Sequence, residues 1–490
     1  MNLKSLLIGL EGLKAKGNLD IDIKGIACNS KEVKEGYLFV AIKGFETDGH
    51  IYIEEALKNG AIAILIEEGC DLKSFKVTSD TTVIMAKDTR EALAIISNNY
   101  YDNPSRKFIL IGVTGTKGKT TTTYMIKEIL ERAGKKVGLI GTIETYINGK
   151  KIKNNDRTTP ESLELQELFS KMVEAGVEVV VMEVSSQSLK LHRVSGCDFD
   201  IGVFTNFSED HISKNEHPTM EDYLQSKLKL FEMCKEGIVN ADDIQGSKIP
   251  KLFPDKQFTT FGIDNYANLV AKDITVTNSY VDFKVKLTNV NERVKTGIPG
   301  RFSVYNSLAS ICVAKKFGVD SEVIKQALLE VRVPGRSEMV DNKLELPIMI
   351  DYAHTPESLQ NILQAVKTYT PGKVISVFGC GGDRDSAKRP QMGEISGRIA
   401  EYTIITSDNT RSEDPAEIAK QIEKGIKKTK GKYEIILDRK EAIRKAISMA
   451  TKRDIVVLTG KGHETYQEIK GKRYPFDERE IVREIIKEKK

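Results

Sequence analysis

The sequence predicts an α/β protein of three domains, and three observations predict it. A buried-strand pattern at 108–113 runs through a glycine-rich turn into an amphipathic helix from about 120 to 132. Strand and helix signals then alternate through 136–141, 177–185 and 198–205, the pattern of a mostly parallel sheet covered by helices. After Val331-Arg-Val-Pro-Gly-Arg336, a second alternating series begins, with strands expected at 348–352, 374–378, 402–407, 433–437 and 455–459. The expected division is 1–105, 106–332 and 333–490.

Taken in order, the first block holds short strand signals at 37–42, 61–66 and 82–85, separated by helical stretches, and the polar run 101–107 reads as a linker. In the second block the pattern changes to period two over 257–295, through Val281, Phe283, Val285 and Leu287. This predicts an antiparallel meander on the edge of the central sheet, followed by a helix at 304–317. The third block reads as doubly wound, although Gly379-Cys-Gly-Gly-Asp383 lacks the G-x-G-x-x-G spacing of a dinucleotide turn. Its helical C-terminus, rich in Glu and Lys, reads as a solvated face. The fold class is therefore a smaller N-terminal α/β domain, a central P-loop NTPase-like domain and a C-terminal Rossmann-like domain.

Charge is balanced, with 74 basic against 70 acidic residues, which argues against a nucleic-acid protein. The six cysteines form no Cys-x-x-Cys pair and read as reduced, mostly buried thiols. No signal peptide is evident, and no apolar run approaches the roughly 18–20 residues that span a bilayer. A soluble cytoplasmic protein, without membrane insertion and monomeric, is expected.

The segment Gly115-Thr-Lys-Gly-Lys-Thr-Thr121 follows a strand and opens a helix, which builds a phosphate cradle from backbone N–H groups. Lys119 can reach the β- and γ-phosphates of ATP, and Thr120 can offer its hydroxyl to Mg²⁺. The spacing departs from the usual motif, because Val113 stands where the first glycine is expected. The next strand ends in Met182-Glu-Val-Ser-Ser186, so Glu183 is placed to face the loop and hold Mg²⁺. Another strand ends in Thr205-Asn-Phe-Ser-Glu-Asp-His211, where His211 is a further candidate ligand, although Mg²⁺ prefers oxygen. On spacing alone Lys227 is an ordinary surface lysine.

These motifs, together with Thr158-Thr-Pro160, His192-Arg193, Tyr223…Lys227 and Gly300-Arg-Phe-Ser-Val-Tyr-Asn306, occur in one order along the chain. Val333-Pro-Gly-Arg336, Asp351-Tyr-Ala-His-Thr-Pro356, Gly379-Cys-Gly-Gly-Asp-Arg384 and Gly460-Lys-Gly-His-Glu464 continue the series. The whole resembles the Mur ligases, ATP-dependent amino-acid-adding enzymes of peptidoglycan synthesis, and most of all the members that add the third residue of the stem peptide. The resemblance implies ATP and Mg²⁺, a CO₂-derived carbamate on Lys227, and catalytic roles for Lys119, Glu183, His211 and Lys227. Thr120, Glu183, His211 and Lys227 match positions around the metals. Gly115, Thr116, Lys117, Gly118, Lys119, Thr120 and Thr121 match the ATP loop, and Asn306, Arg336 and Asp351 match further nucleotide positions. Ser30, Thr158, Thr159, Ser185 and Arg193 match positions that contact UDP-MurNAc-dipeptide. Leu191 departs from relatives that often carry Gln there, which removes one substrate hydrogen bond.

The amino acid is read from Ser407-Asp-Asn-Thr-Arg-Ser-Glu-Asp-Pro415. It resembles the Asp-Asn-Pro-Arg signature of members that add meso-diaminopimelate, with Thr410 in place of Pro. Asp408, Asn409 and Arg411 are retained, and Arg384, Gly460 and Glu464 match other diaminopimelate positions. A guanidinium suits the distal carboxylate that lysine lacks. The alternatives are the same ligase adding L-lysine, a folylpolyglutamate synthetase, or a non-catalytic nucleotide-binding scaffold. The N-terminal block from Asn29 to Gly44 argues against the synthetase. The intact metal and phosphate positions argue against the scaffold.

Overall fold

The run 110–113 is apolar because it becomes the middle of a parallel sheet, buried on both faces. Strand Ile109–Thr114 pairs with Val179–Glu183 on one side and Phe199–Phe204 on the other. In this computed structural model, which describes residues 1–45, 47–71, 75–209, 212–213, 216–277, 279–287 and 291–488, the chain forms two compact units. They are Met1–Phe261 with Asn265–Asn268, and Gly262–Asp264 with Leu269–Lys490. The three α/β sheets that the sequence predicts are all present.

In the first unit, the central sheet runs in the order Gln257–Gly262, Cys234–Asn240, Phe199–Phe204, Ile109–Thr114, Val179–Glu183, Val137–Ile140, Glu144–Ile147 and Lys150–Asn154. All neighbours are parallel up to Val137–Ile140, and the last two strands form an antiparallel hairpin. Phe108, Phe169, Met172, Phe199, Phe204 and Phe231 belong to the core cluster beside it. The carboxyl ends of the three middle strands therefore meet where the chain reverses its strand order, the usual ligand position of an open α/β sheet. The smaller sheet has the order Lys14–Lys16, Thr82–Ala86, Ala61–Glu67, Tyr37–Val40 and Gly25–Ala27, parallel except for the first pair. Helix Thr89–Tyr100 after it is capped by the Asp88 carboxylate, which accepts from the N–H groups of Arg90 and Glu91, a cap worth about 1 kcal/mol.

Three expectations need correction. The 101–107 run is packed rather than a free linker: Pro104–Lys107 is a 3₁₀ turn with Pro104 and Ser105 buried. Its polarity is absorbed locally, as Asp198 N–H donates to Ser105 Oγ at 3.1 Å and Arg106 Nε donates to Asp198 at 2.5 Å. The meander does not lie on the central sheet. Gln257–Gly262 is a parallel strand on Cys234–Asn240, whereas Lys272–Val276, Val281–Lys286 and Asn291–Thr296 form an antiparallel sheet of their own in the second unit. Period two cannot tell these apart, because the partner strand decides. The C-terminal helix Glu478–Glu488 is docked rather than solvated, burying Ile481, Val482, Ile485 and Ile486. Each such side chain contributes about 1.5–3 kcal/mol, which outweighs the charged count.

In the second unit, helices Phe302–Lys316 and Ser321–Glu330 follow the meander. The last sheet has the order Glu338–Met339, Ile348–Asp351, Ile455–Thr459, Val374–Phe378, Tyr402–Ile405 and Lys432–Ile435, parallel from Ile348–Asp351 onward. Apolar clusters cover both faces. A hairpin, Tyr466–Ile469 with Lys472–Pro475, stands beyond its carboxyl edge. All six cysteines are free, with Cys197, Cys234, Cys312 and Cys380 buried. Among the described residues no helix is long and apolar enough to cross a membrane.

Candidate active site

Strand Ile109–Thr114 ends in a loop that returns as helix Lys119–Arg132, so the first N–H groups of the helix face the space above the sheet. Val113 belongs to the strand, and the close approach falls to Gly115. There φ is +144° and a Cβ would sit 1.9 Å from Thr205 Oγ1, which no side chain tolerates. The loop is pinned from the neighbouring strand end. Asn206 Oδ1 accepts from Lys117 N–H at 2.9 Å, Asn206 Nδ2 donates to Lys117 O at 3.0 Å, and Thr205 Oγ1 donates to the same carbonyl at 2.6 Å. Lys119 Nζ lies against Gly115 O at 2.9 Å and Thr116 O at 3.1 Å. Thr121 is buried in the first helical turn.

Glu183, fully buried at the end of its strand, is the hub of this region. Its Oε2 accepts from Thr120 Oγ1 and from Thr142 Oγ1, both at 3.0 Å, and its Oε1 accepts from Thr142 N–H at 2.7 Å. Around the same strand end, Thr142 Oγ1 lies 3.1 Å from Thr158 Oγ1, and Thr159 Oγ1 donates to Glu183 O at 2.9 Å while accepting from Ser185 N–H at 3.2 Å. Arg193 reaches Thr159 O at 3.3 Å and Glu161 at 3.0 Å. The structure thus brings Thr120, Glu183, Thr158, Thr159, Ser185 and Arg193 together. Ser30, buried beside the smaller sheet, donates to Glu55 at 2.6 Å. Among the described residues no three His, Cys, Asp or Glu side chains form a ready-made metal cluster. One carboxylate with hydroxyls fits Mg²⁺, which completes its shell from water and substrate phosphates.

Helix Met220–Met233 delivers Lys227, which is 1 % exposed. Its Nζ donates to Gly115 O at 2.8 Å and lies 4.4 Å from the Tyr223 ring centroid, and Tyr223 OH donates to Thr116 Oγ1 at 3.2 Å. Lys119 and Lys227 therefore converge on one carbonyl oxygen. His211 lies outside the described residues. His217, which sequence reasoning passed over, is buried with Nδ1 2.6 Å from Asp222 and Nε2 2.9 Å from Ser186 Oγ. Burial holds it below the ordinary histidine range despite Asp222. Thr142 was also missed, and its only sequence signal is its place just beyond a strand.

The second unit carries the other candidates. Asn306 is buried on helix Phe302–Lys316. Arg336 stacks over Tyr352 at 4.7 Å and borders a cavity of about 290 Å³ shared with Arg332, Ser337 and Asn342. Asp351 accepts from the N–H groups of Ser337 and Ala353 at 2.7 and 2.8 Å. Burial pushes its carboxyl up, against the opposing pull of Arg336 and these donors. His463 faces Tyr352 at 4.9 Å. Burial, with Arg336 beside it, takes its pKa down to about 3.

Beyond the sheet's carboxyl edge, Asp408, Asn409 and Thr410 are buried. Gly460, at φ +107°, brings its backbone so close that a Cβ would meet Asp408 Oδ2 at 2.4 Å. Asn409 Nδ2 donates to Glu464 at 2.8 Å. Arg411, at φ +48°, donates from Nη1 to Gly382 O at 2.5 Å and has Glu468 at 3.8 Å. Glu413 pairs with Arg389, at 2.7 and 2.8 Å, which pulls its pKa down to about 2. Asp408, Asn409, Arg411, Gly460 and Glu464 thus share one region, and Arg384 is exposed on the adjoining loop.

Comparison with known proteins shows the family. Residues 22–101 match the Mur ligase family catalytic domain, 113–314 the Mur ligase middle domain, and 335–462 the Mur ligase glutamate ligase domain. A UDP-N-acetylmuramoyl-L-alanyl-D-glutamate–2,6-diaminopimelate ligase of Caldanaerobacter subterraneus is 50 % identical over 489 residues, covering 100 % of this chain and 99 % of the relative. One of the same name from Clostridium perfringens is 46 % identical over 100 % of both chains. A solved structure of a ligase of that name superposes with TM-score 0.71 at 28 % identity, covering 100 % of this chain and 99 % of its own. The MurF ligase of Thermotoga maritima in complex with ADP shares the fold, with TM-score 0.62 at 23 % identity over 94 % of this chain and 97 % of its own. With three domains matched in sequence order and relatives aligned from end to end, the chain belongs to the Mur ligase family.

Proposed function

We propose that this protein uses ATP to join meso-diaminopimelate to the D-glutamyl residue of UDP-N-acetylmuramoyl-L-alanyl-D-glutamate, releasing ADP and phosphate. The observation that carries the reading is the hydrogen-bond path through Glu183. It links Thr120 of the phosphate loop to Thr142 and to the Thr158–Thr159 pair, so a γ-phosphate and an acceptor carboxylate have one carboxylate between their binding groups. The relatives' diaminopimelate names and the Asn409–Glu464 cluster support the choice of amino acid.

In the first step the γ-carboxylate attacks the γ-phosphoryl group of ATP. Lys119 turns from Gly115 to the phosphates and, with the loop N–H groups, balances the charge that develops. Thr120, Glu183 and a carbamylated Lys227, with His211, would hold Mg²⁺, which would supply further charge neutralisation there. The convergence of Lys119 and Lys227 on Gly115 O supports carbamylation, since two ammonium groups on one oxygen repel and an anion in place of one removes that cost. In the second step the diaminopimelate amine attacks the acyl phosphate, and the tetrahedral adduct collapses to amide and phosphate. Asn306, Arg336 and Asp351 bind nucleotide. Ser30, Ser185 and Arg193 bind the UDP-linked substrate. Arg384, Asp408, Asn409, Arg411, Gly460 and Glu464 bind the amino acid. Most of the work is positioning and exclusion of water, which would otherwise hydrolyse the acyl phosphate. A nucleotide-sugar substrate and six free thiols support a cytoplasmic site of action.

The test is phosphate release by purified protein with Mg·ATP, UDP-MurNAc-dipeptide and meso-diaminopimelate. Release that requires all three substrates, with a product heavier by diaminopimelate less water, is expected. Release without amide formation, or none at all, overturns the proposal.

A further inference from the structure

We propose that Lys461 is a positioning residue of the amino-acid site, holding the Glu464 carboxylate and the Asn409 amide in the one arrangement that presents an oxygen to the substrate. The inference rests on the reading of that cluster as the amino-acid site. Lysine is almost never fully buried unless paired, yet Lys461 is 0 % exposed. Its Nζ lies 3.0 Å from Glu464 Oε2 and 3.1 Å from Asn409 Oδ1.

These contacts form a closed set. Asn409 Oδ1 accepts from Lys461 and also from Glu468 N–H at 2.9 Å, while Asn409 Nδ2 donates to Glu464 Oε2 at 2.8 Å. With two donors facing the amide oxygen and a carboxylate facing its nitrogen, the flipped amide would lose all three bonds. Glu464 Oε2 is thereby held by two donors, and Oε1 has no hydrogen bond among the described residues. The Glu464 side chain keeps 17 % of its surface open, so that second oxygen is available to an ammonium group. Lys461 also lies 5.6 Å from the Tyr466 ring centroid, which ties the arrangement to the hairpin Tyr466–Ile469 with Lys472–Pro475. Removing the ammonium leaves a mostly buried carboxylate without its counter-charge and takes away one of the two donors that face the Asn409 amide oxygen.

The test is steady-state kinetics of the full chain for wild type, Lys461→Met, Glu464→Gln and Lys461→Met with Glu464→Gln, varying ATP, UDP-MurNAc-dipeptide and the amino acid in turn. Lys461→Met is expected to raise KM for the amino acid at least tenfold, with kcat and the other two KM values within threefold. The double variant removes the uncompensated carboxylate, so it is expected to fold like wild type, with an amino-acid KM no higher than that of Glu464→Gln alone, because Lys461 acts through Glu464. An unchanged amino-acid KM in folded Lys461→Met overturns the inference, as does a double variant whose KM exceeds that of Glu464→Gln alone, or a parallel fall in kcat and rise in every KM. Failure of the proposed function shows separately, as wild type that ignores diaminopimelate. If wild type takes L-lysine instead, the same split is read on lysine.

Discussion

Replacing Glu183 by Gln separates what this residue does for the fold from what it does for the chemistry. Glu183 makes three hydrogen bonds, to Thr142 N–H at 2.7 Å and to the Thr120 and Thr142 hydroxyls at 3.0 Å. A glutamine can keep its amide oxygen toward the Thr142 N–H and turn its NH₂ toward the two hydroxyls, which can reverse and accept. All three contacts survive, so the loss of stability should stay near 1 kcal/mol, the net worth of a single hydrogen bond. The charge is what disappears, and on the proposed mechanism a neutral amide cannot replace it in holding a divalent cation against the γ-phosphate. Loss of one preorganised electrostatic group at a transition state costs about 10²–10³ in kcat. The assay is phosphate release at saturating substrates across a Mg²⁺ titration, beside a urea melt of the same preparation. A kcat within threefold of wild type at every Mg²⁺ level would refute the reasoning. So would a collapse of stability that accounts for the lost activity.

Other predictions follow from the second unit. Arg411→Met should reduce kcat/KM for meso-diaminopimelate by roughly 10- to 150-fold, the equivalent of about 1.5–3 kcal/mol for a charge-assisted contact, while leaving KM for ATP unchanged in the same assay. Arg439 and Glu478, 0 % and 1 % exposed, form a buried ion pair at 2.9 Å, and Arg439 also donates to Ser407 O and Thr459 O. Arg439→Met strands the Glu478 carboxylate and should cost about 3–5 kcal/mol in denaturant unfolding, much of it recovered by adding Glu478→Leu. His463 titrates near 6.5 when unfolded and near 3 when folded. Its contribution is complete above about pH 6.5 and is lost as pH falls toward 3, at up to about 1.4 kcal/mol per pH unit. His463→Gln should flatten that part of the stability-versus-pH curve measured by urea unfolding.

What the sequence disclosed and what it hid divide along physical lines. The strand, turn and helix around Gly115 to Thr121 are local, so spacing alone was enough to read them. Glu183 was legible because strand ends in open sheets carry ligands. Thr142 was not, since its contact with Glu183 depends on Val137–Ile140 pairing beside Val179–Glu183, a neighbour relation that no local pattern encodes. Strand Cys234–Asn240 went unread, and with it the true partner of Gln257–Gly262. The apolar face of the C-terminal helix was present in Ile481, Val482, Ile485 and Ile486, but the surrounding Glu and Lys dominated the composition. Lys461 reads as a surface residue in sequence. Its burial is created only when the hairpin after it pairs with the 408–411 loop, through Arg411 N–H to Glu468 O at 3.1 Å and Gln467 Nε2 to Asp408 O at 3.0 Å.

The central claim is that the carboxyl edge of the sheet Ile348–Asp351 to Lys432–Ile435 selects an amino acid with a distal carboxylate. The most direct measurement is a competition in which the purified protein, Mg·ATP and UDP-MurNAc-dipeptide meet equimolar meso-diaminopimelate and L-lysine, with products resolved by mass. The account predicts the diaminopimelate product in large excess in wild type and a marked loss of that excess in Arg411→Met. A predominant lysine product in wild type would contradict it.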